Sequence, residues 1–152
     1  MTSAQIGEPP TASKLDLIRR FLRAAGIQQQ IDTGSFLDRF AFPGSPLVAG
    51  AAFDGCTFRE AGKRAFGALR EAYAKHRHVW QDEYESHVNW EFTEAELEEI
   101  VAFLERPAGQ HYLEGRWRMD AYIGTNTEDL IEDIICEAKA ALSEDPEGKS
   151  FR

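Results

Sequence analysis

The amino-acid sequence predicts an all-α protein, a compact bundle of about six or seven helices. Apolar residues recur three and four positions apart along most of the 152 residues, which is the spacing of one helix face. Capping residues before these segments, and glycine or proline after them, indicate where separate helices begin and end. No segment alternates apolar and polar residues in the way that is typical of a half-buried strand.

The first two helices are predicted near the start of the chain. Ser13 caps a helix that Gly26 ends. A second, short helix is predicted over 27–40, and Gly34 interrupts its apolar face. The apolar face of the first helix comprises Leu15, Ile18, Leu22 and Ala25.

The middle of the chain begins with a loop and continues with helices. Prolines and glycines are frequent over 42–55, which predicts a loop with one helical turn at 46–51. Thr57 and Glu60 then form a capping box, in which each side chain bonds the backbone amide of the other residue. A long helix therefore starts here and runs towards a further helical segment over 79–90.

The clearest helix start in the sequence is a second capping box, formed by Thr93 and Glu96. Phe92 and Leu97 flank this box as a hydrophobic staple, which fixes the direction in which the chain enters the helix. Pro107 ends the helix, because the residue before a proline avoids the helical conformation.

Two more helices are predicted after Pro107, which suits the first position of a helix. The first of them continues to Gly124, and Thr125 or Thr127 caps the last one. The apolar face of the last helix comprises Leu130, Ile131, Ile134, Ile135, Ala138 and Leu142.

The second capping box opens a segment with a recognisable pattern. Phe92 and Thr93 are followed by an acid, a leucine-rich helix leads to Phe103, and a proline-alanine-glycine turn stands at 107–109. This pattern resembles the signature of the bacterial family called domain of unknown function 2059, most strongly over 80–124. The resemblance implies a helical domain. It implies no activity and no catalytic residues, because none are established for the family.

We expect a flexible arm over 1–12, one helical domain over 13–143 and a flexible tail over 144–152. The first ten residues lack the basic and apolar regions of a secretory signal, which favours a cytoplasmic protein. The family resemblance implies the periplasm instead if the sequence is a mature form, because many members of that family are exported.

The charge of the chain limits the kinds of partner. With 17 basic and 26 acidic side chains, the net charge is −9. This composition argues against nucleic-acid binding, because phosphate contacts need clustered lysine and arginine. No apolar run approaches the roughly 18 residues of a membrane span.

The charge is also divided unevenly along the chain. Residues 1–80 carry 11 basic and 7 acidic side chains, net +4, whereas residues 81–152 carry 6 and 19, net −13. Two interpretations stay open. The two halves pack against each other with complementary faces, or the acidic half docks a basic protein.

One cluster supports an alternative interpretation, a metal-dependent or small-ligand enzyme. His76, His78, Asp82 and His87 lie within 12 positions, and imidazole and carboxylate groups suit zinc. On a continuous helix His78 and Asp82 share a face but His76 does not, so convergence needs a break in the helix. Elsewhere, Cys56 and Cys136 form no metal or redox motif, and we expect buried thiols.

The leading interpretation, a binding domain, is based on large aromatic residues. The candidate binding residues are Trp80, Tyr84, Trp90, Arg116, Trp117 and Arg118. Most large rings must be core, but exposed ones mark an interface, since tryptophan, tyrosine and arginine dominate binding energy. The sequence therefore favours a non-enzymatic domain that binds a protein partner, or a second copy of itself, through aromatic and acidic surfaces. An aromatic groove for a small apolar ligand is a further option, and no cofactor is expected.

Overall fold

A computed structural model of the chain describes residues 8–42, 44–52 and 55–144. Within these residues every regular element is helical and no strand is present, which confirms the all-α prediction. The predicted arm over 1–12 is described only from residue 8, and the predicted tail over 144–152 lies outside the described residues except for its first residue. The elements are α1 (Ala12–Ala24), α2 (Ile27–Thr33), a 3₁₀ helix (Ser35–Ala41), α3 (Pro46–Ala52), α4 (Phe58–Ala74), α5 (Arg77–Glu91), α6 (Glu94–Leu104), α7 (Pro107–Asn126) and α8 (Glu128–Glu144).

The described residues contain eight α-helices and one 3₁₀ helix, more than the predicted six or seven. One predicted short helix is split, because Gly34 adopts a left-handed backbone with φ +65° and ends α2. α4 and α5 are also separate helices. The amides of Lys75 and His76 bond three residues back, to the carbonyl oxygens of Ala72 (3.2 Å) and Tyr73 (2.8 Å), and this tighter turn closes α4.

The chain divides into two units, Met1–Gly109 and Gln110–Arg152. α1 to α6 belong to the first unit, and α8 with most of α7 belongs to the second. The division falls inside the range 13–143, for which the sequence predicts a single domain. That single domain stays a prediction.

α1 lies at the centre of the first unit, where it packs against α2, α5 and α6. Ile18 and Leu22 of α1 have no exposed surface. They form one core with Val88 of α5 and with Leu97 and Val101 of α6. Complete burial of a leucine or isoleucine side chain contributes about 1.5–3 kcal/mol, so this core is a main source of stability for the first unit.

Polar contacts fix the position of α1 beside α5. The buried Lys14 donates from Nζ to the carbonyl oxygen of Asn89 at 2.9 Å, and Asn89 Nδ2 donates to the carbonyl oxygen of Glu8 at 3.0 Å. At the surface, Arg19 Nε donates to Glu85 Oε1 at 2.9 Å. A charged group that is removed from water needs a hydrogen-bond partner. The carbonyl oxygen of Asn89 is this partner for the buried Lys14 ammonium group.

A smaller core joins α3 and α4. Val48 of α3 is buried together with Ala61 and Ala65 of α4. α3 extends over seven residues, where the sequence predicts a single helical turn. The small alanine side chains let the two helices approach closely, and Val48 covers them.

An aromatic cluster connects the 3₁₀ helix with α4 and α5. The ring centroids of Phe36, Tyr73 and Trp80 lie 5.4 to 5.6 Å apart. The Tyr73 hydroxyl donates to the carbonyl oxygen of Ile31, and burial raises the pKa of Tyr73 above its ordinary value. A Cβ atom on Gly34 would lie 2.5 Å from Cδ1 of Tyr73. Both the φ angle and the available space therefore require glycine at this position.

The two predicted capping boxes, at Thr57 and Thr93, are present with both of their hydrogen bonds. Phe92 packs against the α1 core, as the predicted staple requires, and its ring centroid lies 5.8 Å from that of Phe21. The turn after α6 depends on Gly109, because a Cβ atom there would collide with the carbonyl oxygen of Phe103.

The first prediction concerns Gly34. We expect Gly34→Ala to lower the free energy of unfolding by about 1–3 kcal/mol, because alanine is strained at this φ and meets the Tyr73 ring. Gly67→Ala is the matched control, since Gly67 lies in the interior of α4 with open space around it. There we expect a gain of about 0.5–1 kcal/mol. Urea unfolding followed by circular dichroism measures both, and equal effects of the two substitutions would contradict the account of Gly34.

Candidate functional site

α5 carries three of the predicted binding residues, in different environments. Trp80 is partly buried in the aromatic cluster, so much of its ring serves the core. Tyr84, one turn further along, is exposed. Trp90 is 51% exposed at the end of the helix, and its ring centroid lies 5.1 Å from that of His87.

An open hollow of about 390 Å³ follows one face of α5. We call it the α5 groove, and its lining residues are Val79, Trp80, Glu83, Tyr84 and His87. Its volume lies within the range of small-ligand sites, about 300–1000 Å³. All five of these residues belong to one helix, however, so a bound molecule would remain in contact with water. The α5 groove is therefore a surface depression and gives a small ligand little enclosure.

The four residues of the predicted metal cluster remain on the surface of α5 and the turn before it. His76 occupies the N-cap position, and His87 lies nine residues beyond His78, half a turn round the helix. His87 Nε2 approaches Glu83 Oε2 at 3.4 Å, an exposed pair one turn apart. Within the described part of the chain, no three His, Cys, Asp or Glu side chains are grouped so that they could hold a metal ion.

Asp32 of α2 forms an ion pair at the start of α5. Its carboxylate pairs with Arg77, the first residue of α5, and accepts a hydrogen bond from Gln28 Nε2 at 3.0 Å. The hydrogen bond from Arg77, with a smaller contribution from Gln28, lowers the pKa of Asp32 below its ordinary value of 3.8. α5 is thus anchored at its start by an ion pair that needs the charged carboxylate.

α7 and α8 follow one another end to end. The Thr127 amide bonds to the Ile123 carbonyl oxygen and the Ile131 amide bonds to the Thr127 carbonyl oxygen, both at 3.0 Å. Thr127 is the single residue between the two helices. The sequence predicts that Thr125 or Thr127 caps the last helix, and α8 begins at Glu128, directly after Thr127. The hydroxyl groups of both threonines bond back to carbonyl oxygens four residues earlier, at 3.1 Å and 2.7 Å. Threonine hydroxyl groups bonded in this way slightly destabilise a helix and often bend it.

α8 presents an uncovered apolar face, which we call the α8 stripe. Its residues are Leu130, Ile131, Ile134, Ile135, Ala138 and Leu142. At 100° per residue they occupy an arc of about 140° of the helix surface. The four branched residues from Leu130 to Ile135 are 47% to 56% exposed and Leu142 is 75% exposed. No residue of α8 is buried.

Acidic side chains occupy much of the rest of the α8 surface. α8 contains six acidic residues and one basic residue, Lys139. By helical geometry Glu137 borders the α8 stripe beside Leu130, and Glu128 borders it beside Ile135. Negative charge therefore flanks the apolar surface at Glu137, whereas on the other side Lys139 lies about 20° beyond Glu128.

The predicted residues of α7 are all at the surface of the second unit. Trp117 is 72% exposed, and Arg116 and Arg118 beside it are exposed as well. Arg118 Nη1 lies 3.9 Å from Glu114 Oε2, an exposed pair one turn apart.

The two cysteines differ in exposure. Cys136 of α8 is exposed and has a free thiol, so the expectation of a buried thiol is wrong at that position. Cys56 is half-buried.

Comparison with known proteins found no matching family model, no matching curated protein and no matching solved structure. The resemblance to domain of unknown function 2059 therefore stays a prediction. None of the described helices combines the length and the apolar composition that crossing a bilayer requires.

The α8 stripe was identified in sequence as a helix face but not as a candidate site. Periodicity alone does not distinguish a face that packs in the core from one that stays open. The charges in the sequence could have indicated a binding surface, because α8 has acids on both borders of its apolar arc and only one lysine. Charged borders of this kind are typical of helices that meet a partner.

The second prediction uses the Asp32 carboxylate. Because its pKa is lower in the folded state, its contribution to stability is complete above pH 3.8 and is lost as the pH falls through the folded-state pKa. The pair with Arg77 is half-exposed, so we expect Asp32→Asn to cost less than about 1 kcal/mol at neutral pH.

Urea unfolding of the native chain and of Asp32→Asn, from neutral pH to below pH 3.8, measures this contribution. We expect the difference between them to shrink on the acidic side. Asp82→Asn, at an exposed position of α5, is the control and should change little. A difference for Asp32→Asn that stays constant through the acidic range would contradict the account.

Proposed function

We propose that this chain is a non-enzymatic binding module that docks a protein through the α8 stripe. The observation that supports this most directly is the exposure of the branched apolar side chains on one face of a regular helix. A helix with one apolar face ordinarily buries it against another element. Large exposed apolar patches on otherwise polar surfaces mark sites of interaction.

The energetics of α8 favour the same conclusion. Most helical stability in proteins comes from packing of an amphipathic face. With no buried residue, α8 shows no such packing within its own unit. A partner that covered the α8 stripe would supply both the apolar contacts and the stability of the helix.

Residues of α7 extend the proposed surface. Ile123 belongs to the last turn of α7, directly before the junction with α8. It is 53% exposed. Trp117, on the same helix, is 72% exposed. We propose that Trp117 contributes to docking and that Trp80 acts mainly as a core residue.

A small-ligand role for the α5 groove is a weaker proposal. Its lining is almost entirely apolar, with Trp80 and Tyr84 as its rings, but one helix supplies the whole surface. The assignment to domain of unknown function 2059 and the cytoplasmic location also remain proposals, and docking through the α8 stripe depends on neither.

The third prediction tests docking by site-specific photo-crosslinking. A photoreactive residue at position 134 lies within the α8 stripe, and one at position 129 lies on the opposite side of the same helix. In the cells that make the protein, we expect position 134 to give a discrete protein adduct and position 129 to give none. The adduct can contain another protein or a second copy of the chain.

A second substitution separates specific docking from chance contact. Ile131→Gln keeps a residue compatible with a helix but removes part of the apolar surface, and we expect it to abolish the adduct at position 134. Phe58→Gln alters an exposed apolar side chain of α4 and should leave the adduct unchanged. Equal crosslinking from positions 129 and 134, or none from either, would contradict the proposed function.

A further inference from the structure

The two borders of the α8 stripe limit what can cover it. Glu137 lies about 20° beyond Leu130 on one side, and Glu128 lies about 20° beyond Ile135 on the other. Residues at these positions of a helix meet the flanking residues of whatever packs on the apolar face. An occupant of the α8 stripe therefore brings its own flanking residues close to carboxylates on both sides.

A second copy of α8 fits these borders poorly. Six acids and one lysine give each α8 a net charge of −5. Two such helices paired through the stripe would bring these net charges together, with the single Lys139 of each copy as the basic side chain that offsets them. Like charges across a helix interface are destabilising and act against the pairing.

A membrane surface fits them poorly as well. Helices that lie on membranes usually carry lysine and arginine on the polar face, because cellular membrane surfaces are negatively charged. α8 has the opposite charge on its polar face. The borders of the stripe instead complement a positively charged protein segment.

We propose that the occupant of the α8 stripe is a basic amphipathic helix of another protein, with leucine-like side chains on one face and lysine or arginine on both borders. This inference rests on the proposed function and adds the chemistry of the partner. From Leu130 to Leu142 the stripe is about 18 Å long, which fits three to four turns of a docked helix. Apolar contacts hold the complex, and charge complementarity selects the partner and speeds its association.

The fourth prediction uses two synthetic helices as probes. One is a lysine–leucine peptide of about 18 residues, with leucines at helical spacing and lysines on both borders. The other has the same leucines, with glutamate in place of lysine. Fluorescence anisotropy of each labelled peptide with the full chain gives the Kd. We expect the lysine peptide to bind, the glutamate peptide not to bind, and the Kd to rise about tenfold or more from low salt to about 0.5 M NaCl.

Matched variants of the chain separate the apolar and the electrostatic contributions. The double variant Ile131→Gln with Ile134→Gln keeps the charge of α8 and should abolish binding of the lysine peptide. The double variant Glu128→Gln with Glu137→Gln keeps the stripe and should raise the Kd about threefold to tenfold. Phe58→Gln in the first unit should have no effect, and circular dichroism checks that every variant keeps its helix content.

Each outcome has a definite meaning. Lysine-peptide binding that survives loss of Ile131 and Ile134 is nonspecific adhesion and overturns the inference. Equal affinity for the glutamate peptide, or no dependence on salt, also overturns it but leaves apolar docking intact. If neither peptide binds, sedimentation of the same sample decides. A dimer that the double glutamine variant at 131 and 134 abolishes identifies a second copy as the occupant, whereas a monomer overturns both the inference and the proposed function.

Discussion

Burial of one face of α1 is the interaction on which the first unit depends. Ile18 and Leu22 have no exposed surface, and the core they form holds α5 and α6 in place. The buried Lys14 adds a hydrogen bond to the α5 backbone. With α5 fixed in this way, its start can pair with Asp32 and its outer face is left to form the α5 groove.

The second unit has the same kind of helix without the same kind of burial. α1 and α8 each carry a continuous apolar face, but that of α1 is enclosed and that of α8 is exposed. At the α7–α8 junction the hydroxyl groups of Thr125 and Thr127 bond back into the preceding turn, and the apolar face of α8 beyond them is exposed.

The sequence predicted helix type and most helix starts, because capping boxes such as that at Thr93 are local and each residue's role follows from its spacing. It missed the split at Gly34, which ends α2 in a left-handed conformation and lies against the Tyr73 ring, a contact between distant positions. The sequence also did not distinguish which of the candidate aromatic residues are buried and which are exposed. Trp80 is largely a core residue and Trp117 is exposed, because exposure depends on what packs nearby, and periodicity does not record that.

Amide hydrogen exchange of the purified chain, at a concentration where it is monomeric, tests the central claim most directly. The side chains of the α8 stripe are exposed, and we propose that they stay exposed until a partner docks. The amides of α8 should therefore exchange much faster than those of α1 and α6, whose packed faces protect them. Addition of the lysine–leucine peptide should then slow exchange in α8 and leave α1 unchanged. Protection of α8 equal to that of α1 in the lone monomer would contradict the account, because the stripe would already be covered by its own chain.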